Sequence, residues 1–252
     1  MTHQVEFVMG MPVVVEVRDA TAGEQTLAAV FAWLRFVDGL FSTYKDESEV
    51  SRINRGELAA SRAHPLVREV LDRCEELREE TDGYFDARAA SPLWLDPSGL
   101  VKGWAVDRAA AILEEAGVQE FAVSAGGDMR LRGRWRIGIQ HPHLRDKVAA
   151  VVEAEDLAIA TSGTYARGEH VFDPHSGMPP AGVLSVTIAG PELATADAYA
   201  TAAFAMGVAG PDWTAQLDGY DAMTVLTGDV VVTTPGFRRL QSAAARAISS
   251  VG

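Results

Sequence analysis

The segment Asp96-Pro-Ser-Gly-Leu-Val-Lys-Gly-Trp-Ala-Val-Asp107 sets a carboxylate, a glycine turn, a lysine and a second glycine immediately ahead of a helical pattern. Trp104, Ala105, Ala109, Ile112 and Leu113 recur at helical spacing, and Gly117 ends the run. A helix N-terminus presents free backbone N–H groups and a partial positive charge, to which Lys102 adds a full one. An anionic ligand, phosphate above all, suits such a place. A loop with a solvated lysine fits the same residues, so companions elsewhere in the chain have to decide.

Asp197 and Thr201 stand four apart in Ala-Thr-Ala-Asp-Ala-Tyr-Ala-Thr-Ala-Ala-Phe204, which puts both side chains on one helical face. Their neighbours are mostly alanine, so backbone and ligand can approach closely. A carboxylate and a hydroxyl are hard oxygen ligands of the kind Mg²⁺ takes. The other reading is a solvated aspartate and a threonine bonded to its own helix. Ser124-Ala-Gly-Gly-Asp128 follows an apolar strand, and its glycine pair serves either a tight hairpin or a close backbone approach to a ligand. Thr161-Ser-Gly-Thr-Tyr165 and His170-Val-Phe-Asp-Pro-His-Ser-Gly177 form a polar cluster after a strand. His170 there is a general-base candidate for a phosphoryl-type transfer, and Asp173-Pro174 with Ser176-Gly177 is equally ordinary turn chemistry. Tyr44, after a long helix, either stacks on a flat ring or caps the core. Thr81-Asp-Gly-Tyr-Phe-Asp86 adds a turn with two aromatics and two carboxylates. The chain has no P-loop, no dinucleotide fingerprint, no zinc spacing and no Gly-x-Ser-x-Gly elbow.

The elements that must hold these residues can be read from periodicity. Strands are expected at 4–9 and 12–18, and a long amphipathic helix at 22–41. Ser48 caps a short helix ending at Asn54. A helix spans 65–81, with Pro65 at its start and Asp82-Gly83 at its end, and another spans 102–116. Strands follow at 120–124, 128–132, 135–140, 147–154, 157–161 and 183–189, then helices at 192–207 and 211–217, then strands at 222–226 and 229–233. Helices mostly first and antiparallel strands later indicate an α+β fold. The 252 residues, 48% of them hydrophobic, suffice for one large domain or two fused lobes. The net charge of −13, with no basic stripe, argues against nucleic acid as a partner. No apolar run reaches transmembrane length, the first residues do not read as a signal or lipoprotein leader, and the single Cys74 falls at core spacing. The expected setting is cytoplasmic, with no membrane partner.

In this order, the segments resemble the bacterial FAD:protein FMN transferases, the ApbE or flavin transferase family. The matching pieces are Met9-Gly-Met-Pro-Val13, Phe41-Ser-Thr-Tyr through Asn54, Thr81 through Asp86, Asp96 through Arg108, Val123 through Arg130, Ile159 through Tyr165, His170 through Pro179 and Ala196 through Ala203. The resemblance implies two closely packed α/β lobes around a largely antiparallel sheet, with the ligand in the cleft between them. One domain is expected over 1–241, and the Ser- and Ala-rich residues 242–252 read as a frayed helix or a disordered tail. The resemblance implies Mg²⁺-dependent transfer of FMN from FAD to a Thr or Ser hydroxyl of a target protein, with release of AMP. The metal ligands implied are Asp197, Thr201 and the backbone carbonyl of Gly99. Flavin-dinucleotide contacts fall on Met9, Tyr44, Tyr84, Phe85, Asp86, Asp96, Lys102 and His170, and catalytic roles on His170 and Lys102. Two alternatives use the same site: an FAD pyrophosphatase giving FMN and AMP, and a non-catalytic flavin-binding protein. The chain departs from the family in a short 87–95 segment, in Met11 after Met-Gly, and in lacking the usual export signal.

Overall fold

The computed structural model describes residues 2–19, 23–89, 93–144, 146–163 and 171–241. Its centre is an eight-stranded sheet in which every pairing is antiparallel. The strands are β1 (Thr2–Val8), β2 (Met11–Val17), β3 (Phe121–Ala125), β4 (Asp128–Arg132), β7 (Ala158–Gly163), β8 (Val183–Gly190), β9 (Asp221–Leu226) and β10 (Val230–Thr233). They lie side by side in chain order, so the sheet is a meander with three insertions. Helices α1 (Glu24–Phe41), α2 (Glu49–Asn54), α3 (Pro65–Glu80) and α4 (Ser98–Glu115) come between β2 and β3. A separate hairpin of β5 (Arg134–Gln140) and β6 (Val148–Glu155) comes between β4 and β7, and α5 (Leu193–Ala205) with α6 (Gly210–Thr214) between β8 and β9. The α+β, largely antiparallel expectation holds.

The sheet separates two cores. On one face α1, α4 and α5 bury Phe31, Leu34, Leu100, Leu113 and Leu193 against Val13, Val15 and Val123. On the other, the β5–β6 hairpin and α7 (Pro235–Leu240) bury Trp135, Val152 and Phe237 against Leu131, Met223 and Val225. Burial of a Val, Leu or Phe side chain stabilises by about 1.5–3 kcal/mol, which explains the strict alternation of β2, whose Val13, Val15 and Val17 all face the first core. β8 lies between both cores and is buried along its whole length.

Local signals act where expected. Ser48 Oγ accepts from Ser51 N–H at 3.0 Å, Pro65 opens α3, and Asp82 and Gly83 take positive φ after it. Three expectations need correction. α4 begins at Ser98 rather than 102, because Asp96 Oδ1 accepts from Ser98 N–H at 3.0 Å and starts the helix early. The strand expected to end at Thr161 runs on through Ser162 and Gly163, paired with Val186 and Ser185, so these two are the end of β7 and not a loop after it. α7 is additional, begun by Thr234 as cap and Pro235 at its first turn. Residues 164–170, His170 among them, and 242–252, the expected tail, lie outside the described residues.

Candidate active site

One end of the sheet collects most of the chemistry. The register brings the Met9-Gly10 turn, the Gly126-Gly127 turn, the start of β4 and the end of β7 to the same edge. Gly126 and Gly127 close a two-residue hairpin, with Ala125 opposite Asp128, and both have positive φ (61° and 100°), as a type I′ turn requires. A Cβ on Gly126 would stand 3.0 Å from Met11 Sδ, so the first residue of β2 packs against the second turn. The hairpin reading of Ser124–Asp128 was therefore right, but it concealed the importance of Asp128.

Asp128 is 1% exposed. Its Oδ1 accepts from Thr161 N–H at 2.8 Å, and its Oδ2 pairs with the ammonium of Lys102. Lys102 arrives from the second turn of α4, and its Nζ also lies 3.3 Å from Asp197 Oδ1. Asp197 is 3% exposed, so the solvated-helix reading is excluded. Burial works against the charge on Lys102, but Asp197 and Asp128 outweigh it and hold the ammonium above the ordinary lysine range. One turn further along α5, Thr201 Oγ1 lies 3.3 Å from Ser162 Oγ. A Cβ on Gly99 would stand 3.1 Å from Phe85 Cε2 and 3.9 Å from Thr201 Oγ1, so the first turn of α4 brings bare backbone beside that hydroxyl.

Two carboxylates thus face one ammonium, with hydroxyls and backbone beside them. Among the described residues no group of three or more His, Cys, Asp or Glu stands together as a metal cluster. The donor set is instead mixed oxygen with an excess of negative charge, which suits a hard divalent cation and not zinc. Because Lys102 stands between buried acids, its removal should be costly. Lys102→Met is expected to lower unfolding stability by about 3–5 kcal/mol, as for other broken buried pairs, and Lys102→Met with Asp128→Asn should recover part of the loss. Urea unfolding of both variants checks this; a Lys102→Met protein as stable as the parent would show that the pair is not energetically coupled.

The remaining candidates are more dispersed. Phe85 is buried beneath Gly99 and belongs to the core. Tyr84 packs edge-on against His175 at 4.6 Å, and His175 Nε2 lies 2.9 Å from Asp82 O. Asp86 Oδ1 accepts from Arg88 N–H at 2.8 Å. Tyr44 is 97% exposed on the turn after α1, which rules out its capping the core. Met9 sits in the β1–β2 turn at φ 54°, half-buried. Lys102 is a correction in position: it is inside α4, not ahead of it, so its charge does not add to the helix N-terminus, where Asp96 takes up the Ser98 N–H.

Several residues escaped the sequence reading. Asn54 forms a two-way clamp on Leu95, donating to its carbonyl at 2.9 Å and accepting from its N–H at 2.8 Å, and so holds the entry to Asp96. Gly103 touches the start of α5: a Cβ there would come within 2.5 Å of Leu193 O. One turn on, Asp107 accepts from Leu193 N–H at 3.0 Å and from Ala194 N–H at 2.8 Å. Burial pushes the Asp107 carboxyl up to about 6, against the pull of those N–H groups and of Arg130. The available signal was the spacing of Gly103 and Asp107, which is that of one helical face.

With these features in place, comparison with known proteins identifies the lineage. The chain belongs to the ApbE family, whose model matches residues 9–94 and 87–224. A FAD:protein FMN transferase of Vibrio cholerae is 37% identical over 131 residues, 46% of this chain and 39% of its own length. The chain thus spans well under half of that relative. One from Haemophilus influenzae is 26% identical over 258 residues, 73% of each chain. Among solved structures, the apo form of Pseudomonas stutzeri flavinyl transferase ApbE superposes with a TM-score of 0.81 at 25% identity, covering 96% of this chain and 97% of its own. The ApbE protein of Thermotoga maritima gives 0.85 at 24%, covering 96% and 99%. Among the described residues no helix is long and apolar enough to cross a membrane.

Proposed function

We propose that this chain is an FAD:protein FMN transferase, acting with Mg²⁺ held by Asp197, Thr201 and the Gly99 carbonyl. The observation that carries the reading is the pairing of the buried Asp128 and Asp197 with Lys102, with the Thr201 hydroxyl one turn further along α5 beside Ser162, in a member of a family whose curated relatives bear that name. When bound, the cation supplies charge neutralisation for the pyrophosphate, on which phosphoryl transfer chiefly depends. In the reaction, a Thr or Ser oxygen of the target protein forms a bond to the FMN phosphorus as the bond to the AMP oxygen breaks. The hydroxyl proton passes to a base, and AMP leaves. His170 is the base in this reading, and Lys102 balances the carboxylates that hold the cation. Met9, Tyr44, Tyr84, Asp86 and Asp96 are proposed to contact the dinucleotide, with Phe85 supporting Gly99 from beneath. Residues 1–241 act as one domain, and the lone buried Cys74 is compatible with a cytoplasmic setting.

The test is to incubate the chain with FAD, Mg²⁺ and an acceptor domain bearing a target threonine, and to measure intact mass. The expected result is a gain of one FMN on the acceptor, with AMP released. Free FMN and AMP without modified acceptor would assign an FAD pyrophosphatase instead, and unchanged FAD a flavin-binding protein.

A further inference from the structure

α5 carries both Asp197 and Thr201, yet little in its own sequence fixes where it sits. It is alanine-rich and buried on nearly every side, so its smooth surface offers few ridges to set its axial position against α4. Its N-cap residue, Glu192, forms no side-chain cap bond. The cap comes from α4: Asp107 accepts from the N–H groups of Leu193 and Ala194, one with each carboxylate oxygen. Gly103, one turn earlier on the same face, admits the Leu193 backbone so closely that a Cβ would lie 2.7 Å from its carbonyl carbon and 2.8 Å from Ala194 Cα. The two helices then run antiparallel from this fixed end. Lys102 reaches Asp197 at 3.3 Å, and Gly99 faces Thr201.

We propose that Asp107 is a positioning residue of the reaction: by capping α5 from α4 it sets where Asp197 and Thr201 present their oxygens to a divalent cation. This rests on the function proposed above. The ionised carboxylate accepts from both N–H groups through charge-assisted bonds, whereas a protonated one carries a donor on one oxygen and accepts more weakly. Asp107 lines a cavity of about 600 Å³ on the flank of α4, through which water and protons reach it. The groups around it are Arg130 of β4, whose Nε lies 3.8 Å away, Glu192 ahead of α5, Tyr220 ahead of β9, Arg108 on its own helix, and Glu69, Asp72, Arg73 and Glu76 of α3 across the cavity. Burial pushes its carboxyl up to about 6, so the cap loses its charge in milder acid than an ordinary aspartate would. Divalent cation binding should therefore weaken as pH falls through that range, well above the range of an ordinary aspartate.

The probe is Mn²⁺ binding to the full chain without FAD, followed by electron paramagnetic resonance between pH 5 and 7.5, for the parent, Asp107→Asn and Asp197→Ala. In the parent, affinity should fall about tenfold toward the lower pH. Asp107→Asn should bind about tenfold more weakly at pH 7, the size expected for an outer-shell change, and lose that step in the pH profile. The same affinity and profile in Asp107→Asn as in the parent would overturn the proposal and leave the metal reading intact. Equal, negligible binding by the parent and Asp197→Ala would overturn both. Should Asp107→Asn fail to fold, amide exchange in the parent decides. Protection of Leu193 and Ala194 N–H should decline through pH 6 together with Mn²⁺ affinity, and constant affinity across that range would overturn the proposal.

Discussion

Asp197→Ala is expected to abolish Mg²⁺-dependent FMN transfer, a loss on the order of 10³-fold or more. Asp197 is the charged member of the proposed ligand set, and the other two, the Thr201 hydroxyl and the Gly99 carbonyl, are neutral. The change should spare the fold. Removing Lys102 leaves two buried carboxylates without their counter-ion, whereas removing Asp197 leaves Lys102 paired with Asp128, which stays anchored by Thr161 N–H at 2.8 Å. Loss of activity with retained stability is therefore the signature of a ligand, and the opposite pattern that of a structural ion pair. Thr201→Ala should cost only about tenfold, because water can take the place of a neutral oxygen ligand. Initial rates titrated with Mg²⁺ at saturating FAD check both. Full activity of Asp197→Ala at limiting Mg²⁺ would end the assignment.

The same cluster shows what the sequence could and could not disclose. Asp197 and Thr201 were legible because four-residue spacing places them on one face whatever the fold. Lys102 and Gly99 were legible through their motif, but the start of α4 was not. Ser98-Gly99-Leu-Val101 is a weak helix opening, and the bond that begins the helix comes from Asp96 across Pro97. Asp128 stayed hidden because a glycine-pair hairpin accounted fully for its segment. Its partners, Lys102 and Thr161, are 26 and 33 residues away, and no local pattern encodes them. Likewise Ser162-Gly163 looked like the start of a loop because the apolar run stops at Ala160. The polar side chains are tolerated in β7 because Thr161 Oγ1 pairs with Thr187 Oγ1 at 2.9 Å and Ser162 Oγ with Thr201 Oγ1 at 3.3 Å. Strongly periodic elements such as α1, α3 and β2 were read nearly to their ends, since burial of one face dictates them. The clamp of Gly103 and Asp107 on α5 was not, since it is a relation between two helices.

His170→Ala is expected to lower the saturated transfer rate by ~10²–10⁴-fold while leaving FAD binding largely intact, the range typical of a lost general base. The argument is chemical: a threonine hydroxyl is a poor nucleophile until its proton leaves, and the carboxylates of the cluster are engaged with Lys102. His170 lies outside the described residues, but the segment that follows it is informative. Asp173 organises that segment. Its Oδ1 accepts from His175 N–H at 2.9 Å and its Oδ2 from Ser176 Oγ at 2.7 Å, so it shapes the turn. His175 then docks on the Tyr84 turn, whose Phe85 supports Gly99, and so ties the chain just after His170 to the residues proposed to hold the cation. If His170 is the base, the saturated rate of the parent should also fall as pH drops through the range in which imidazoles titrate, and this fall should vanish in His170→Ala. That dependence is separable from the one proposed for Asp107, which acts on cation affinity and is overcome by excess Mg²⁺. If His170 only touches the adenine or ribose, the substitution should weaken FAD binding and leave the saturated rate unchanged. Single-turnover rates at saturating FAD and Mg²⁺, measured beside FAD binding constants, distinguish the two roles, and an unchanged saturated rate would remove His170 from catalysis without disturbing the metal site.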